Sequence, residues 1–196
     1  GGYAALGTPT DTGYSILFFT GHAFAALKAD GSISAWGSVQ HGGTNAPTDS
    51  GYVDIIASSA AFVALHEDGS IKAWGAEGWG AEGWGGTDAP SNDNQFTQVV
   101  ASDGAFAALR ADGTVVNWGH RNYGGNHESI LPPSGDGYEK LFAHGSAFAA
   151  LHEDGSIFAW GGNWAGNYPT NSGYTHIVSN SSAFAALHED GSVKAW

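Results

Sequence analysis

Three copies of the tripeptide His-Glu-Asp place an imidazole beside two carboxylates, at His66–Asp68, His152–Asp154 and His188–Asp190. Imidazole and carboxylate groups are common ligands of zinc and other transition metals. Adjacent residues of a strand point to opposite faces, however, so these side chains are not expected to converge on one ion. The matching positions of two further copies carry Lys28-Ala29 and Arg110-Ala111. The tripeptides are therefore interpreted as solvated turns, and no metal, cofactor or catalytic residue is expected.

Ser102, Asp103 and His144 offer the residue types of a hydrolytic triad. A triad of this kind needs a nucleophile on a sharp turn, such as a Gly-x-Ser-x-Gly elbow, with a base in reach. Ser102 does not lie in such an elbow. We therefore expect a chain that is not an enzyme and keep an enzyme at this place only as an alternative.

Aromatic side chains on glycine-rich loops are better candidates for binding. Trp79 and Trp84 lie in the duplicated stretch GAEGWGAEGWGG, Tyr123 lies in GHRNYGGN, and Trp164 lies in GGNWAGNY. Exposed rings with Asn, Asp and Glu nearby suit a protein or carbohydrate ligand, whereas the alternative is a loop folded back over its own sheet. A separate set of tryptophans recurs at strand ends and is expected to pack between sheets. Its members are Trp36, Trp74, Trp118, Trp160 and Trp196.

The elements that must position these residues are β-hairpins. The stretch Ala147–Gly161, AFAALHEDGSIFAWG, occurs five times with small changes. Each copy has Asp-Gly between two short apolar runs, which predicts a hairpin because glycine accepts positive φ without steric cost. The second run is too short for a stable helix. Strand alternation then places Phe148 and Ala150 on one face, and Ala149 and Leu151 on the other.

Each hairpin belongs to a longer repeat, which is predicted to form one sheet of up to four antiparallel strands. A strand that begins with an aromatic residue precedes the hairpin, and a short segment around proline follows it at a sheet edge. The last repeat lacks the loop and proline segment, and residues 1–12 resemble the missing part. The sequence therefore predicts one all-β domain, 1–196, folded as a β-propeller of five blades with the last blade closed by the N-terminal segment. The repeats are 13–50, 51–94, 95–136, 137–172 and 173–196.

Polar residues follow the first strand of every repeat. If the first strands line a central channel, these residues form a polar ring at one mouth of it. Convergent polar groups in a concavity are the default hypothesis for a binding site. The ring would consist of Thr20, Ser58, Ser102, His144 and Asn180, with Asp103 beside it.

The order of an apolar strand, the motif AxALxxDGxVxAWG, a glycine-rich loop and a proline segment resembles the short bacterial type of RCC1 repeat. A β-lactamase inhibitor protein of Streptomyces belongs to the same type. The resemblance covers essentially the whole chain and implies a β-propeller with one repeat per blade, although relatives usually have more blades than the five visible here. Family members act in nucleotide exchange on a small GTPase, bind chromatin, inhibit enzymes or serve as scaffolds. No residue of this chain matches a functional site of that family.

The formal net charge is −13, from 19 acidic residues against 6 Lys and Arg. Such a surface repels nucleic acid phosphates and anionic membranes, so neither is an expected partner. No apolar run is long enough to cross a membrane. We expect a binding or scaffold module with a protein partner, and the alternative is a lectin that binds carbohydrate. An extracellular or cell-surface location is favoured.

Overall fold

The computed structural model describes residues 7–76, 83–125, 131–162 and 167–196. These residues form five three-stranded antiparallel sheets, one per repeat, with the strands in chain order. The prediction of an all-β chain with one sheet per repeat is confirmed. The strands are β1 Tyr14–Phe19, β2 Ala23–Lys28, β3 Ile33–Gly37, β4 Tyr52–Ala57, β5 Ala61–His66, β6 Ile71–Gly75, β7 Phe96–Ala101, β8 Ala105–Arg110, β9 Val115–Gly119, β10 Tyr138–His144, β11 Ala147–His152, β12 Ile157–Gly161, β13 Tyr174–Ser179, β14 Phe184–His188 and β15 Val193–Ala195.

The chain divides into two compact units, Gly1–Phe96 and Thr97–Trp196, called unit 1 and unit 2 below. Unit 1 holds the first two sheets, and unit 2 holds the last three apart from the first residue of β7. A single domain over 1–196 stays a prediction. The helices within the described ranges are 3₁₀ turns at Val39–His41 and Arg121–Tyr123. No helix in these ranges is long and apolar enough to span a membrane.

The Asp-Gly hairpins are confirmed in all five sheets. The turn glycines have φ between +77° and +85°, a region that disfavours residues with a Cβ atom. The carboxylate of the turn aspartate accepts a hydrogen bond from the backbone N–H two residues later, as between Asp30 and Ser32 at 3.0 Å. The same bond forms between Asp68 and Ser70 at 2.8 Å. The sequence Asp-Gly-Ser or Asp-Gly-Thr therefore closes its own turn.

Each sheet has three of the up to four predicted strands, and the segment around proline forms no strand in the described residues. After β3 the chain makes a 3₁₀ turn and passes through Gly42 and Gly43 into an irregular segment around Pro47. Proline removes one backbone donor from this segment. The last sheet has three strands like the others. The part of the N-terminal segment at 1–6, predicted to complete that sheet, lies outside the described residues.

A register shift near the start of the first strand was not visible in the sequence pattern. In the second sheet it falls between Tyr52 and Asp54. Strict alternation would put Tyr52 and Ile55 on opposite faces, but the bulge brings both to the buried side, where they are 3% and 2% exposed. Three further sheets carry the same shift, at Tyr14/Ile16, Tyr138/Lys140 and Tyr174/His176.

The core lies between neighbouring sheets, in contacts that we call joints. One sheet contributes a trailing face of small and aliphatic residues, such as Ala25 and Leu27, and the next contributes an aromatic leading face with Tyr52, Phe62 and Trp74. This is the first joint, in unit 1. Unit 2 contains two more of the same composition, between the third and fourth sheets and between the fourth and fifth. The prediction that the repeated tryptophans pack between sheets is confirmed at these joints.

Candidate functional site

The best candidate site is a cleft of about 280 Å³ in unit 1, called the loop cleft. One wall is the 3₁₀ turn after β3, a second is the turn between β4 and β5, and a third is the loop after β6. The described residues that line it are Gln40, His41, Ser59, Ala60, Ala76 and Trp84.

Backbone and side-chain hydrogen bonds hold the walls of the loop cleft in place. The Thr20 hydroxyl donates to the His41 carbonyl at 3.0 Å and accepts from the Ala23 amide at 3.0 Å. The Gly21 amide donates to the Ser59 carbonyl at 2.9 Å, which ties the first sheet to the second. These bonds fix the 3₁₀ turn and the turn between β4 and β5, so these two walls need little ordering when a ligand binds.

The loop cleft is an aromatic and neutral polar site. Burial lowers the pKa of His41, and the nearby His22 lowers it further. The two rings meet edge to face with centroids 4.6 Å apart, and the Ser38 hydroxyl lies 2.9 Å from His41 Nδ1. Among the described residues that line the cleft, this histidine is the only titratable one. Their side chains suit stacking and hydrogen bonding.

Unit 2 has the matching hydrogen bond, but the side chain at the position of His41 is placed differently. The Ser102 hydroxyl donates to the Tyr123 carbonyl at 2.8 Å, as Thr20 does to His41. The Tyr123 side chain is partly buried and packs against the second joint. The loop of Tyr123 thus folds back over its own sheet, which was the alternative to an exposed binding loop. Its role in binding stays a prediction.

The residues of the predicted polar ring lie at the turn between the first and second strand of each sheet. Thr20, Ser58, Ser102 and His144 are buried, whereas Asp103 and Asn180 are exposed.

Their polar atoms are used inside these turns. Ser58 Oγ accepts from the Ala61 amide at 3.0 Å, and Asn180 Oδ1 accepts from the Ala183 amide at 2.9 Å. A local structural role therefore accounts for a polar residue at every one of these positions. A ligand-binding role for the ring stays a prediction.

The geometry around Ser102 and His144 is that of two separate turns. Ser102 Oγ donates to Tyr123 and accepts from the Ala105 amide at 3.1 Å. His144 Nδ1 accepts from the Ser146 amide at 3.2 Å. Burial lowers the pKa of His144 despite the opposing effect of the Asp103 carboxylate. Ser102, Asp103 and His144 are neighbours, but the Ser102 hydroxyl and the His144 imidazole each hydrogen-bond to backbone groups.

The His-Glu-Asp tripeptides are more ordered than the predicted solvated turns. His66 Nδ1 lies 2.9 Å from Asp68 Oδ1, and its Nε2 lies 3.0 Å from the Ser50 carbonyl. Tyr52 meets the imidazole edge to face, with ring centroids 5.2 Å apart. The histidine therefore links its turn to the chain that enters the sheet, while the carboxylates remain exposed. In the described ranges no group of three or more His, Cys, Asp and Glu side chains is arranged to hold a metal.

The electrostatics of this turn follow from its hydrogen bonds. Burial lowers the pKa of His66, but the contacts with Asp68 and Ser50 outweigh it, so the pKa is raised overall. The hydroxyl and amide of Ser70, with a smaller contribution from His66, lower the pKa of Asp68 to about 2.

Two of the predicted aromatic candidates, Trp79 and Trp164, lie outside the described residues. Trp84 is partly exposed in its glycine-rich loop, and its role in binding stays a prediction. Sequence reasoning missed Gln40 and His41. The available signal was the parallel between VQHGG in the first repeat and RNYGG in the third, which puts His41 at the position of Tyr123.

No family model matches the chain, and no curated protein matches it. Solved structures do. The entire ectodomain of the Physcomitrella patens receptor kinase CR4 is 19% identical with a TM-score of 0.63, over 99% of this chain and 53% of that one. The CRINKLY WD40 ectodomain of Arabidopsis thaliana ACR4 is 18% identical with a TM-score of 0.63, over 93% and 63%. Saccharomyces cerevisiae Prp20p is 17% identical with a TM-score of 0.62, over 93% and 57%.

The fold is an RCC1-like β-propeller. The structure of Prp20p bound to Kap60 describes it as yeast RCC1, which connects the fold directly to the resemblance in the repeats. The chain spans between about half and two thirds of the length of the solved chains above. The finer resemblance, to the Streptomyces β-lactamase inhibitor protein, stays a prediction.

Proposed function

We propose that this chain is a non-enzymatic binding module of the RCC1-like propeller type, which takes a protein partner at the loop cleft of unit 1. The observation that carries the proposal is the partly exposed Trp84, which lines the cleft together with His41 beside two hydrogen-bonded turns. Tryptophan is enriched among the residues that dominate protein interfaces, above all where it lines a preformed pocket.

Two further facts support a protein ligand. Prp20p, which has the same fold, has binding properties towards Gsp1p and histones. The net charge of −13 favours partners with basic surfaces, because complementary charge speeds encounter. The cleft volume of about 280 Å³ is slightly below that of usual small-molecule sites, so it fits one inserted side chain better than a large cofactor.

The proposal is tested by selecting displayed random peptides on the immobilised 196-residue chain and measuring the affinity of the enriched peptides in solution. Trp84→Ala should weaken binding by roughly tenfold or more, as expected for a central aromatic residue. His41→Ala should weaken it less. Val39→Ala is the matched control, because Val39 is exposed on the same 3₁₀ turn and does not line the cleft.

A glycan array run in parallel separates this function from a lectin. Binding of glycans that is lost in Trp84→Ala, without any enriched peptide, would replace the protein partner by a carbohydrate. Peptides that bind the wild type and Trp84→Ala equally well would show that the loop cleft is not the binding site.

A further inference from the structure

The second strand ends in a histidine in three of the five sheets, at His66, His152 and His188. In all three, Nδ1 lies 2.9–3.0 Å from a carboxylate oxygen of the aspartate two residues later. Nε2 of His66 lies 3.0 Å from the Ser50 carbonyl, and Nε2 of His188 lies 3.0 Å from the Ser172 carbonyl. These two rings therefore connect their hairpin turn to the chain that enters the same sheet.

A glycine of the entering chain makes room for each of the three imidazoles. A Cβ atom added at this glycine would lie 2.4–2.6 Å from Nε2 of the histidine. The tyrosine after the glycine meets the ring edge to face, with centroids 5.1–5.2 Å apart. The third sheet has Arg110 in place of the histidine, and there Gln95 and Phe96 replace the glycine and the tyrosine. We call the set of histidine, aspartate, glycine and tyrosine the histidine bridge. The glycines are Gly51, Gly137 and Gly173.

The histidine bridge at His66 is best satisfied by an imidazole that carries two protons. A carboxylate and a backbone carbonyl only accept hydrogen bonds, so Nδ1 and Nε2 must both donate to satisfy them. The neutral ring has one N–H. With that proton on Nε2, the bond to Ser50 remains and Nδ1 accepts from the Asp68 amide at 3.2 Å. The bond from Nδ1 to the Asp68 carboxylate is then lost.

The charged groups that surround His66 in the described part of unit 1 are acidic. Asp68 and Glu67 belong to the same turn as the ring. On the entering chain, Asp49 accepts a hydrogen bond at 3.0 Å from the Tyr52 hydroxyl. On the preceding sheet, Asp30 lines a groove together with Glu67. Negative charges close to an imidazole favour its charged form.

The resulting pH dependence has a definite sign. Burial lowers the pKa of His66, but the contacts with Asp68 and Ser50 and the charge of Glu67 raise it overall. The folded chain therefore holds this proton more tightly than the unfolded chain. The stabilising contribution is complete below the ordinary histidine pKa of about 6.5, and it is lost as the pH rises through the higher pKa of the folded state.

The entering chain next to His66 also carries the backbone contacts of the first joint. The Gly51 amide donates to the Asp30 carbonyl at 3.1 Å, and the Tyr52 amide donates to the Gly31 carbonyl at 3.2 Å. A Cβ added at Gly31 would lie 2.4 Å from the Tyr52 nitrogen, so the turn of the first sheet and this segment are in direct contact. A bond that holds the entering chain therefore also holds the joint.

We infer that the histidine bridge at His66 is a pH-sensitive contact that stabilises the first joint. With two protons, the imidazole ties the Asp68 turn to the entering chain. When the Nδ1 proton passes to solvent, the bond to the aspartate is lost and the joint loosens. This inference is independent of the loop cleft and of the proposed function.

The first experiment follows the protonation of His66 by NMR titration of the 196-residue chain. The pKa of His66 should lie above about 6.5, with protons on both ring nitrogens at about pH 5.5. Asp68→Asn should lower this pKa because it removes the carboxylate that faces Nδ1. Asp154→Asn, at the matching position of the fourth sheet, should leave it unchanged. A His66 pKa at or below 6.5, or one that Asp68→Asn does not lower, would overturn the inference.

The second experiment measures hydrogen exchange at the Tyr52 amide, which bonds to Gly31 across the joint. The protection factor corrects for the intrinsic effect of pH on exchange. It should fall in the wild type between about pH 5.5 and pH 8.5, as the ring loses its charge. In His66→Lys it should stay constant, because lysine remains charged over this range. Lys28 holds this position in the first sheet, beside Tyr14.

A neutral variant and an unrelated histidine complete the test. His66→Gln keeps a donor for Ser50 but carries no charge, so its protection factor should be low and independent of pH. His176→Gln, at an exposed position of β13 outside the bridges, should behave like the wild type. Circular dichroism melts establish that each variant folds, and Asp68→Asn replaces His66→Lys if that variant does not, with loss of the pH dependence as the expected result. An equal fall in the wild type and in His66→Gln would show that another group controls the joint.

Discussion

The first joint in unit 1 and the second joint in unit 2 solve the same packing problem with different hydrogen-bond donors. In unit 1, Trp74 Nε1 donates to the Gly42 carbonyl at 3.0 Å. In unit 2 the matching carbonyl of Gly124 accepts from Asn117 Nδ2 at 2.7 Å. Trp160 Nε1, at the position of Trp74, is buried and has no partner among the described residues.

The two joints differ in one residue of β9, the third strand of the third sheet. Asn117 stands where the other repeats have alanine. The loop carbonyl needs one good donor, and the asparagine supplies it in place of the indole. An unsatisfied buried N–H costs about 1–3 kcal/mol. The second joint therefore has the same packing as the first but leaves the Trp160 N–H without a partner among the described residues. The shape is therefore set by the Phe–Trp stack and the glycine loop, and the donor can vary.

Truncating the stacked phenylalanine should have the largest effect and should affect both joints alike. Phe62 and Phe148 are fully buried and stack on Trp74 and Trp160 at centroid distances of 5.1 and 5.3 Å. Phe62→Ala and Phe148→Ala should each lower the free energy of unfolding by about 3–5 kcal/mol because a cavity remains. Urea unfolding followed by tryptophan fluorescence measures the change.

Phe24→Ala is the control, since Phe24 holds the same position in the first sheet but is 45% exposed. It should cost less than about half as much, because the partly exposed Phe24 buries less apolar area on folding. An equal loss would mean that burial of the phenylalanine does not determine how much it stabilises the fold.

Adding a methyl group at the loop glycines should have the next largest effect. Cβ atoms on Gly42 and Gly124 would lie 2.6 and 2.7 Å from the rings of Phe62 and Phe148, at φ of +92° and +87°. Gly42→Ala and Gly124→Ala should each cost about 1–3 kcal/mol through overpacking. The positive φ should add about 1–2 kcal/mol.

Gly135→Ala separates these two contributions, because Gly135 has a φ of +106° with no described atom within 4 Å of its added Cβ. Thermal unfolding should show only the conformational cost there. If Gly135→Ala destabilises as much as Gly42→Ala, the close approach to the ring is not what constrains the loop.

Replacing the tryptophans by phenylalanine should distinguish the two joints. Trp74→Phe removes the donor to Gly42 and leaves that carbonyl unpaired, whereas Trp160→Phe removes an N–H that has no described partner. We expect Trp74→Phe to cost about 1 kcal/mol more than Trp160→Phe, the typical value of one hydrogen bond. In an Asn117→Ala background Trp160 becomes the available donor, so Trp160→Phe should then cost as much as Trp74→Phe. A double-mutant cycle in which the losses of unfolding free energy for Asn117→Ala and Trp160→Phe simply add would show that the two side chains do not compete for the Gly124 carbonyl.

The repeat pattern predicted the hairpins and the joint residues because both depend on strong local rules. Asp-Gly fixes the turn, and alternation in AFAAL assigns each side chain to a face. The pattern did not reveal the bulge after Tyr52, because a bulge shifts register without a distinctive residue. His41 was also missed, since its place in the loop cleft depends on how Ser59 and Trp84 approach it from segments distant in sequence. The missing partner of Trp160 could not be predicted, because it depends on which donor reaches the Gly124 carbonyl in the folded loop.

The smallest predicted effect concerns the acidic turns, where unit 1 has His66 and the third sheet has Arg110 instead. The pKa of Asp68 is lowered to about 2, mainly by Ser70 and less by His66, and the pKa of Asp112 is lowered by the amide and hydroxyl of Thr114. A carboxyl group with a pKa below its unfolded value of about 3.9 stabilises the fold above that pH. The contribution is lost as the pH falls towards 2.

Stability should therefore decrease between about pH 4 and pH 2, and the decrease should be smaller in Asp68→Asn. NMR titration of the Asp68 carboxyl should show a larger upward shift of its pKa in Ser70→Ala than in His66→Ala, because the serine hydroxyl is its leading partner. Asp112 should keep its low pKa in both variants. If His66→Ala moved the pKa of Asp68 more than Ser70→Ala did, the imidazole would be the main stabiliser of this turn, and the turns with His66 and Arg110 would differ in mechanism.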